Sequence, residues 1–413
     1  MKATARANPW EAGTVLFLVA TLAAGAGSCT TSSKRTTPTA VSSATAGVTP
    51  SATTVPSSTP TATASVTSTA VPSSTTTPTC PISCMAYVSA NNVFAINTAS
   101  NTVAATIGVS QPDYVAVNPN GSFAYVPNQG SSSVTVIDTG SNAVVATVVT
   151  GSQPAFVAIT PNGSFAYVPN VVSNSVTVIN TASNVVAATV SVGVNPNFVA
   201  ISPNGSLAYV SNYADVNVTV INTASNAITA TVATGGGPFS VSVGPNGSFA
   251  YVPRPGANVL IVIDTTSSSI AATIVTGSLP EFVTLGPNGS FAYVPNQNSN
   301  NVSVINTALN SVVATLAAGT NPKIVAVTPN GSFAYVANTF SNNVTVIDTV
   351  SNTVAATLAV GTNPFFVSVT PNGSFVYVTN QGASSVTVIS TASSTVVATI
   401  AVGSCPQIVA FKP

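Results

Sequence analysis

The sequence predicts an all-β fold, and three observations carry the prediction. The tripeptide Pro-Asn-Gly recurs every 42 residues, beginning at Pro119, Pro161, Pro203, Pro245, Pro287, Pro329 and Pro371. A tyrosine inside an apolar run keeps the same 42-residue step from Tyr125 through Tyr167, Tyr209, Tyr251, Tyr293 and Tyr335 to Tyr377, with Tyr87 standing 38 residues before the first. Each unit holds four short runs rich in Val, Ile, Phe and Tyr, separated by Gly, Pro, Asn and Ser. Four strands in about 42 residues, repeated in series, is the pattern of a β-propeller blade.

The chain begins with a segment that reads as an export signal. Lys2 and Arg6 supply a positive start, residues 13–27 are apolar, and Ala24-Gly25-Ala26 is a small-residue cleavage site. Fifteen residues are too short to span a bilayer comfortably. Cys29 follows Ala26-Gly27-Ser28 directly. This resembles the lipobox of bacterial lipoproteins and makes Cys29 a candidate for lipidation, although Ala26 stands where the usual Leu would be. Simple secretion is the alternative. Residues 29–79 are almost wholly Thr, Ser, Pro, Ala and Val without an apolar period. Such a segment cannot offset its ordering entropy by burial and is expected to be a disordered stalk. Residues 80–413 are the expected propeller.

Within the first complete unit the runs fall at 114–117, 123–126, 134–137 and 144–148. Their β-branched and aromatic residues favour strands, and Pro119-Asn120-Gly121 is expected to join the first two as a tight hairpin. Seven Pro-Asn-Gly copies leave an incomplete set at each end. The chain enters at a unit's second strand, near 85–88, and finishes at a first strand, near 408–411. Pairing the last strand with the first three would complete an eighth blade and hide the exposed edges. The expectation is therefore an eight-bladed β-propeller of four-stranded antiparallel blades closed by its C-terminal strand. Seven blades with a stray unit is the alternative.

At this point the residues resemble a known family. The unit GSxPxxVAVxPNGSFAYVxNxxSNSVTVIDTASNxVVATV is similar to the YVTN repeat of surface-layer β-propellers. The naming tetrapeptide occurs as Tyr377-Val378-Thr379-Asn380 and is varied as Tyr209-Val210-Ser211-Asn212, Tyr335-Val336-Ala337-Asn338 and Tyr125-Val126-Pro127-Asn128. The resemblance covers residues 84–413. It implies that the first strand of each unit lines a central channel and that the loops entering it share one end.

Comparison of copies inside the chain shows where the scaffold does not dictate identity. The residue after the loop proline is Asp113, Ala155, Asn197, Phe239, Glu281, Lys323, Phe365 and Gln407 in turn. Three of the propeller's nine charged residues occupy this one slot. A loop edge that tolerates anything would give such variety, and so would a ligand-binding ring at the channel mouth. On the second reading the ring, Asn197 and Gln407 included, contacts a ligand with Asp113, Glu281 and Lys323 as polar handles and Phe239 and Phe365 as stacking surfaces. The turn after the second strand is expected at the same end and brings Tyr213, Asp215 and Arg254, with Phe340 in a later copy. Asp138, Asp264 and Asp348 alternate with Asn180, Asn222 and Asn306 at one repeat position, where either side chain can make an Asx turn; they read as structural. The seven Asn-Gly-Ser triplets of the hairpins read as turn chemistry rather than glycosylation sites.

Composition excludes several functions. The chain has seven Lys+Arg, seven Asp+Glu and no His among 413 residues, only 3% charged with zero net charge. Nucleic-acid binding needs a phosphate-neutralising basic stripe, which seven scattered basic residues cannot make. Propellers related to the resembling family include lactonases and others that hold haem or copper, with chemistry that leans on histidines and clustered carboxylates. Here the six propeller acids lie apart on the repeat map. The expectation is accordingly no enzyme, no metal and no cofactor. In its place stands an exported, cell-surface-tethered, non-catalytic binding or adhesion module. Its partner would be a protein, peptide or glycan at the cell surface, and it would touch a membrane only through an N-terminal lipid anchor. The alternatives are a structural surface-layer or cell-envelope scaffold unit and, behind it, a lactonase-like or other propeller enzyme.

Four cysteines in an exported chain invite pairing. Cys405 and Cys84 each precede a strand of the closing pair, and antiparallel neighbours start at opposite ends, on the order of 15 Å apart. A disulfide needs Cα atoms about 4.4–6.8 Å apart. The sequence therefore suggests a local Cys80–Cys84 loop with Cys405 free; a fold-back from Cys80 to Cys405 is the rival. Few titrating groups also suggest a stability that changes little from about pH 2 to pH 8.

Overall fold

The computed structural model describes residues 85–413. The expected signal (1–28), the stalk (29–79) and Cys29, Cys80 and Cys84 lie outside the described residues.

Thirty-two strands form eight four-stranded antiparallel sheets. In the first complete blade the strands are Ala116–Val117, Phe123–Asn128, Ser133–Asp138 and Ala143–Val149, in that spatial order. The first strand is shorter than its apolar run in this and three other blades, and in three of the four an isolated bridge such as Pro112↔Asn128 reaches the second strand's end. Among the described residues the helical content is two short 3-10 turns, Gln129–Ser131 and Pro255–Ala257. The ladder between third and fourth strands carries a register shift in every blade, for example at Val220/Ile221. That bulge turns the outer edge strand away from its neighbours.

The second strand shows how the ring is packed. Its side chains alternate between faces. Ala208 and Val210 join the apolar cluster with the preceding blade, whereas Tyr209 joins the cluster with the following one. Both faces of a blade are therefore interior, which explains why the strands read as unbroken apolar runs. Eight such clusters fill the eight spaces between neighbouring blades. Every repeat tyrosine is at most 2% exposed. Burial pushes the phenols of Tyr87, Tyr125, Tyr167 and Tyr209 up to about 12.

Four of these phenols pin one blade to the next. The hydroxyls of Tyr87, Tyr125, Tyr167 and Tyr377 donate to Oδ1 of Asn142, Asn184, Asn226 and Asn101, at 2.7–2.8 Å. Each of those asparagines sits in the left-handed region, which asparagine tolerates better than most residues. The tight turn thus places the acceptor. Ser268 and Ser394 hold the same repeat position with φ of 51° and 50°, and there the buried Tyr209 and Tyr335 hydroxyls, beside Thr265 and Ser394, make no hydrogen bond of full geometry.

The seam closes as the sequence implies. Val409–Phe411 pairs antiparallel with Met85–Ser89, in register Ala86↔Phe411 and Val88↔Val409. Gln407 N donates to Ser89 O at 2.7 Å, and Lys412 N to Met85 O at 2.8 Å. The hairpin glycines form a second ring. A Cβ on Gly163, Gly205, Gly247, Gly289, Gly331 or Gly373 would lie 3.2–3.6 Å from the proline of the preceding hairpin. At Gly121, whose φ is +72°, the neighbours are Lys412 and Pro413 instead. Pro413, 42 residues after Pro371, fills the place of an eighth hairpin proline.

One expectation at the seam is corrected. Cys405 is not free; it is disulfide-bonded, and the other three cysteines of the chain lie outside the described residues. The separation of opposite strand ends bears only on Cys84 as partner and leaves the other pairings untouched. Cys405 itself is at the mouth end, next to Ser404, whose carbonyl accepts from Asn91 N at 3.1 Å.

Deleting residues 408–413 removes the inner strand of the composite blade. The truncated protein is expected to unfold non-cooperatively or to oligomerise through the bared edge of Met85–Ser89; equally stable monomer would refute the seam. Ser268→Asn and Ser394→Asn each supply an acceptor to a stranded tyrosine hydroxyl. Each is expected to raise the guanidinium midpoint by the equivalent of about 0.5–1.5 kcal/mol, and an unchanged midpoint would count against the inter-blade pin.

Candidate functional site

The start of each first strand lies against the end of the second, as in Pro196↔Asn212. The slot after the loop proline and the turn after the second strand therefore share one end of the channel. Hydrogen bonds between the two verify this. Gln129 Nε2 donates to Asp113 Oδ2 at 2.5 Å, and Gln381 Nε2 to Gln407 Oε1 at 2.7 Å.

Four consecutive blades place Phe239, Glu281, Lys323 and Phe365 in the slot. Lys323 Nζ and Glu281 Oε2 form an ion pair at 2.7 Å, and the Glu281 side chain is 8% exposed. Lys323 Nζ also lies 5.8 Å from the centre of the Phe365 ring, within cation–π range. On the other side Phe239 packs edge-on against Tyr213 and Phe282, at 6.5 and 5.4 Å between centroids. Desolvation and then the charge of Glu281 push the Tyr213 phenol up, so the ring and the carboxylate share one neighbourhood.

The remaining slot residues are more separate. Asp113 belongs to another arc, where desolvation pushes its carboxyl up to about 6 against the hydrogen bond from Gln129. Asn197 Oδ1 is buried without a partner. Arg254 Nη2 donates to Gly235 O at 2.6 Å, and a Cβ on Gly236 would collide with the same guanidinium. Gly235 and Gly236 thus leave the space into which this arginine folds, while a Cβ on Gly237 would meet Tyr213 instead. Asp215 is not with the others: its carboxylate accepts from Val194 N at 2.8 Å and braces an exposed loop. The Asp138, Asp264 and Asp348 carboxylates accept from the backbone two and three residues on, as Asx turns do.

The structure adds an aromatic collar that the sequence reading misses. One position further along the first strand stand Tyr114, Phe156, Phe198, Phe282 and Phe366. Tyr114, Phe156 and Phe198 follow one another with centroids 4.0 and 3.8 Å apart, and Phe198 approaches Phe282 at 6.1 Å. A cavity of about 450 Å³ adjoins the collar, lined by Tyr114, Phe156 and Phe198 with the small side chains of Ala116, Ala158 and Ala200. The signal for the collar is present, a 42-residue spacing of aromatics, but apolar residues in a strand run read first as core. Among the described residues, no three of His, Cys, Asp and Glu come together as a metal site.

A family model of YNCE-like β-propellers matches residues 109–411. The chain belongs to that family. The match does not extend to the surface-layer type of YVTN repeat that the sequence resembles. No curated protein matches this YNCE-like propeller. Among solved structures, Kuenenia stuttgartiensis hydrazine synthase is similar at 26% identity with a TM-score of 0.58, over 69% of this chain and 96% of that one. Dihydro-heme d1 dehydrogenase NirN in complex with DHE is similar at 15% identity with a TM-score of 0.69, over 80% and 75%. A functionally unknown protein from Desulfotomaculum acetoxidans aligns at 18% identity and a TM-score of 0.56, over 70% and 98%.

These likenesses correct the expectation that the chain is not an enzyme, since the propellers it resembles include those of hydrazine synthase and a dehydrogenase. That expectation counted catalytic side chains on the ring. A propeller can serve an enzyme by binding and orienting groups whose chemistry comes from elsewhere, so missing histidine does not decide the matter.

Asp113 gives this YNCE-like propeller a pH-dependent contribution of known sign. Its folded pKa of about 6 lies above the ordinary 3.8, so the folded state holds the proton more tightly than the unfolded chain. The stabilisation is full below about pH 4 and is lost as the pH rises through about 6. Asp138, Asp264 and Asp348 act oppositely, because their turn hydrogen bonds hold the carboxyls below the ordinary value. Asp113→Asn is expected to match wild type near pH 4 and to exceed it by about 1–3 kcal/mol near pH 8. Parallel stability curves across that range would show that the Asp113 carboxyl is not shifted.

Proposed function

We propose that this YNCE-like propeller is an exported, surface-tethered binding module that takes its ligand at the channel mouth. The observation that supports it most is the grouping of Phe239, Glu281, Lys323 and Phe365 in equivalent slots of four consecutive blades. The scaffold explains none of these identities, because the same slot also accepts Ala155 and Asn197. Glu281 is nearly removed from water while Lys323 stays 20% exposed, and such a pair gives weak net stability. Its place at an open rim between two aromatic faces suits recognition, where such anchors supply most binding energy. Export rests on residues 1–28, and tethering on Cys29 and the Thr/Ser/Pro-rich segment that follows it.

A second reading, a structural scaffold of the surface layer or envelope, is favoured by the outer edges. All eight fourth strands lack charged residues and proline, the usual guards against edge pairing. Val149 and Val275 on these strands are 76% and 74% exposed.

Purified protein added to cells, to polysaccharides and to surface-protein extracts is expected to bind one of them. Phe239→Ala combined with Phe365→Ala is expected to weaken that binding about tenfold or more. Undiminished binding by the folded double variant would overturn the mouth reading. Concentration-dependent sheet formation without binding would favour the scaffold.

A further inference from the structure

Asp113 differs from the other five propeller acids in what it holds. Glu281 holds Lys323, Asp215 holds a backbone N–H, and Asp138, Asp264 and Asp348 are engaged in their own turns. Asp113 has the neutral amide of Gln129, on Oδ2. No charged side chain shifts its carboxyl; desolvation raises it and the Gln129 bond lowers it. Even so, Asp113 is half-buried rather than sealed, so it lies in an opening that solvent reaches. Above about pH 6 it stands there as a desolvated charge with no cation to offset it.

The backbone sets where that charge lies. Pro112 pairs with Asn128 and Ala116 with Tyr125, so residues 113–115 stand opposite only 126 and 127. The extra residue is a bulge of the kind found at Pro196/Phe198 and Pro364/Phe366. A bulge re-aims side chains and relieves the strict alternation of faces, which lets the Asp113 carboxylate and the next ring, Tyr114, serve one opening. Tyr114 begins the aromatic collar: its ring, Phe156 and Phe198 follow one another at 4.0 and 3.8 Å. All three line the cavity of about 450 Å³. Two residues further along the strands its wall is Ala116, Ala158, Ala200, Ser242 and Ala410, small side chains that leave the channel wide beyond the rings. No charged side chain lines it, and small-molecule sites span about 300–1,000 Å³.

A carboxylate at the mouth, aromatic faces beside it and an apolar chamber beyond them define a complementary ligand. Its charge is positive, because the carboxylate lacks a cation and ring faces attract one. Its body is apolar, because the chamber wall offers little else and burial of apolar surface is favourable. We infer that Asp113 and the collar of Tyr114, Phe156 and Phe198 form a site for a small organic amine, its ammonium on Asp113 and its apolar body in the channel. The site lies on another arc than Phe239, Glu281, Lys323 and Phe365, and so goes beyond the reading of that arc as a docking face.

The test is isothermal titration of the full chain with phenethylamine, beside the neutral 2-phenylethanol and the anionic 3-phenylpropanoate, at pH 7.5 and pH 5. At pH 7.5 the amine is expected to bind about tenfold or more tightly than either counterpart. At pH 5 it is expected to lose about tenfold, because Asp113 is then protonated while the amine stays charged. Tyr114, the neighbouring titratable group, is neutral at both values, since desolvation pushes its phenol further up. Asp113→Asn is expected to weaken the amine about tenfold at pH 7.5 and to remove the pH dependence, and Phe156→Ala to weaken amine and alcohol alike, with thermal melts verifying that both variants fold. No binding of the amine, equal binding of all three probes, or binding unchanged in Asp113→Asn overturns the inference. Phe239→Ala combined with Phe365→Ala is expected to leave amine binding intact. Loss of amine binding in that pair, with Asp113→Asn unaffected, would move the amine to the other arc and overturn the assignment to Asp113.

Discussion

A blade of this protein has two apolar faces and can bury neither by itself. Ala208 and Val210 must find the preceding blade, and Tyr209 the following one. The ring follows from that requirement, because only a closed set of neighbours covers every face. It also accounts for the pairing of a small residue with a large one along the second strand: the alanine on one side makes room where the next tyrosine must fit. The hydroxyl that each tyrosine carries inward then needs an acceptor, and the left-handed asparagine of the adjoining turn supplies it in four blades. Packing, turn conformation and hydrogen bonding are one constraint repeated around the axis.

Because the framework is held between blades, the mouth is released from structural duty. The slot after the loop proline tolerates Ala155, Phe239 and Lys323 without change in the ladder behind it. Charge is scarce elsewhere on the ring, so a single ion pair at this rim dominates its surroundings. Beside it Gln297 Nε2 makes no hydrogen bond of the kind that Gln129 and Gln381 make to their slot residues.

Most of the fold is legible in the sequence, and for a physical reason. A fixed 42-residue step sets strand count, hairpin position and blade order together, and the incomplete ends locate the seam. The shared end of the slot and the turn is legible too, since antiparallel pairing decides it. The rest depends on side chains competing in space. Asp215 resembles its neighbours in the sequence yet turns aside to cap Val194. Tyr114, Phe156 and Phe198 carry the repeat spacing, but an aromatic in a strand looks the same whether it faces a core or a channel. The Glu281–Lys323 pair can be read from its one-unit separation. The unpartnered Nε2 of Gln297 cannot, because it depends on how this amide and the Glu281–Lys323 pair share the space at the mouth. Cys405 escapes the sequence because strand geometry excludes one partner, Cys84, and is silent about the others.

The seam has a consequence for how such a chain can change in length. The repeat in the sequence and the blade in space are out of step by one strand, so Pro413 meets Gly121 where a hairpin proline meets its glycine elsewhere in the ring. The joint between the ends is then made of the same strand pair and the same proline contact as every internal junction. Gain or loss of one whole unit by duplication or deletion would leave that joint chemically unaltered, with the ring diameter the only quantity to adjust. Copy number is thereby free to drift in a lineage while closure is inherited intact.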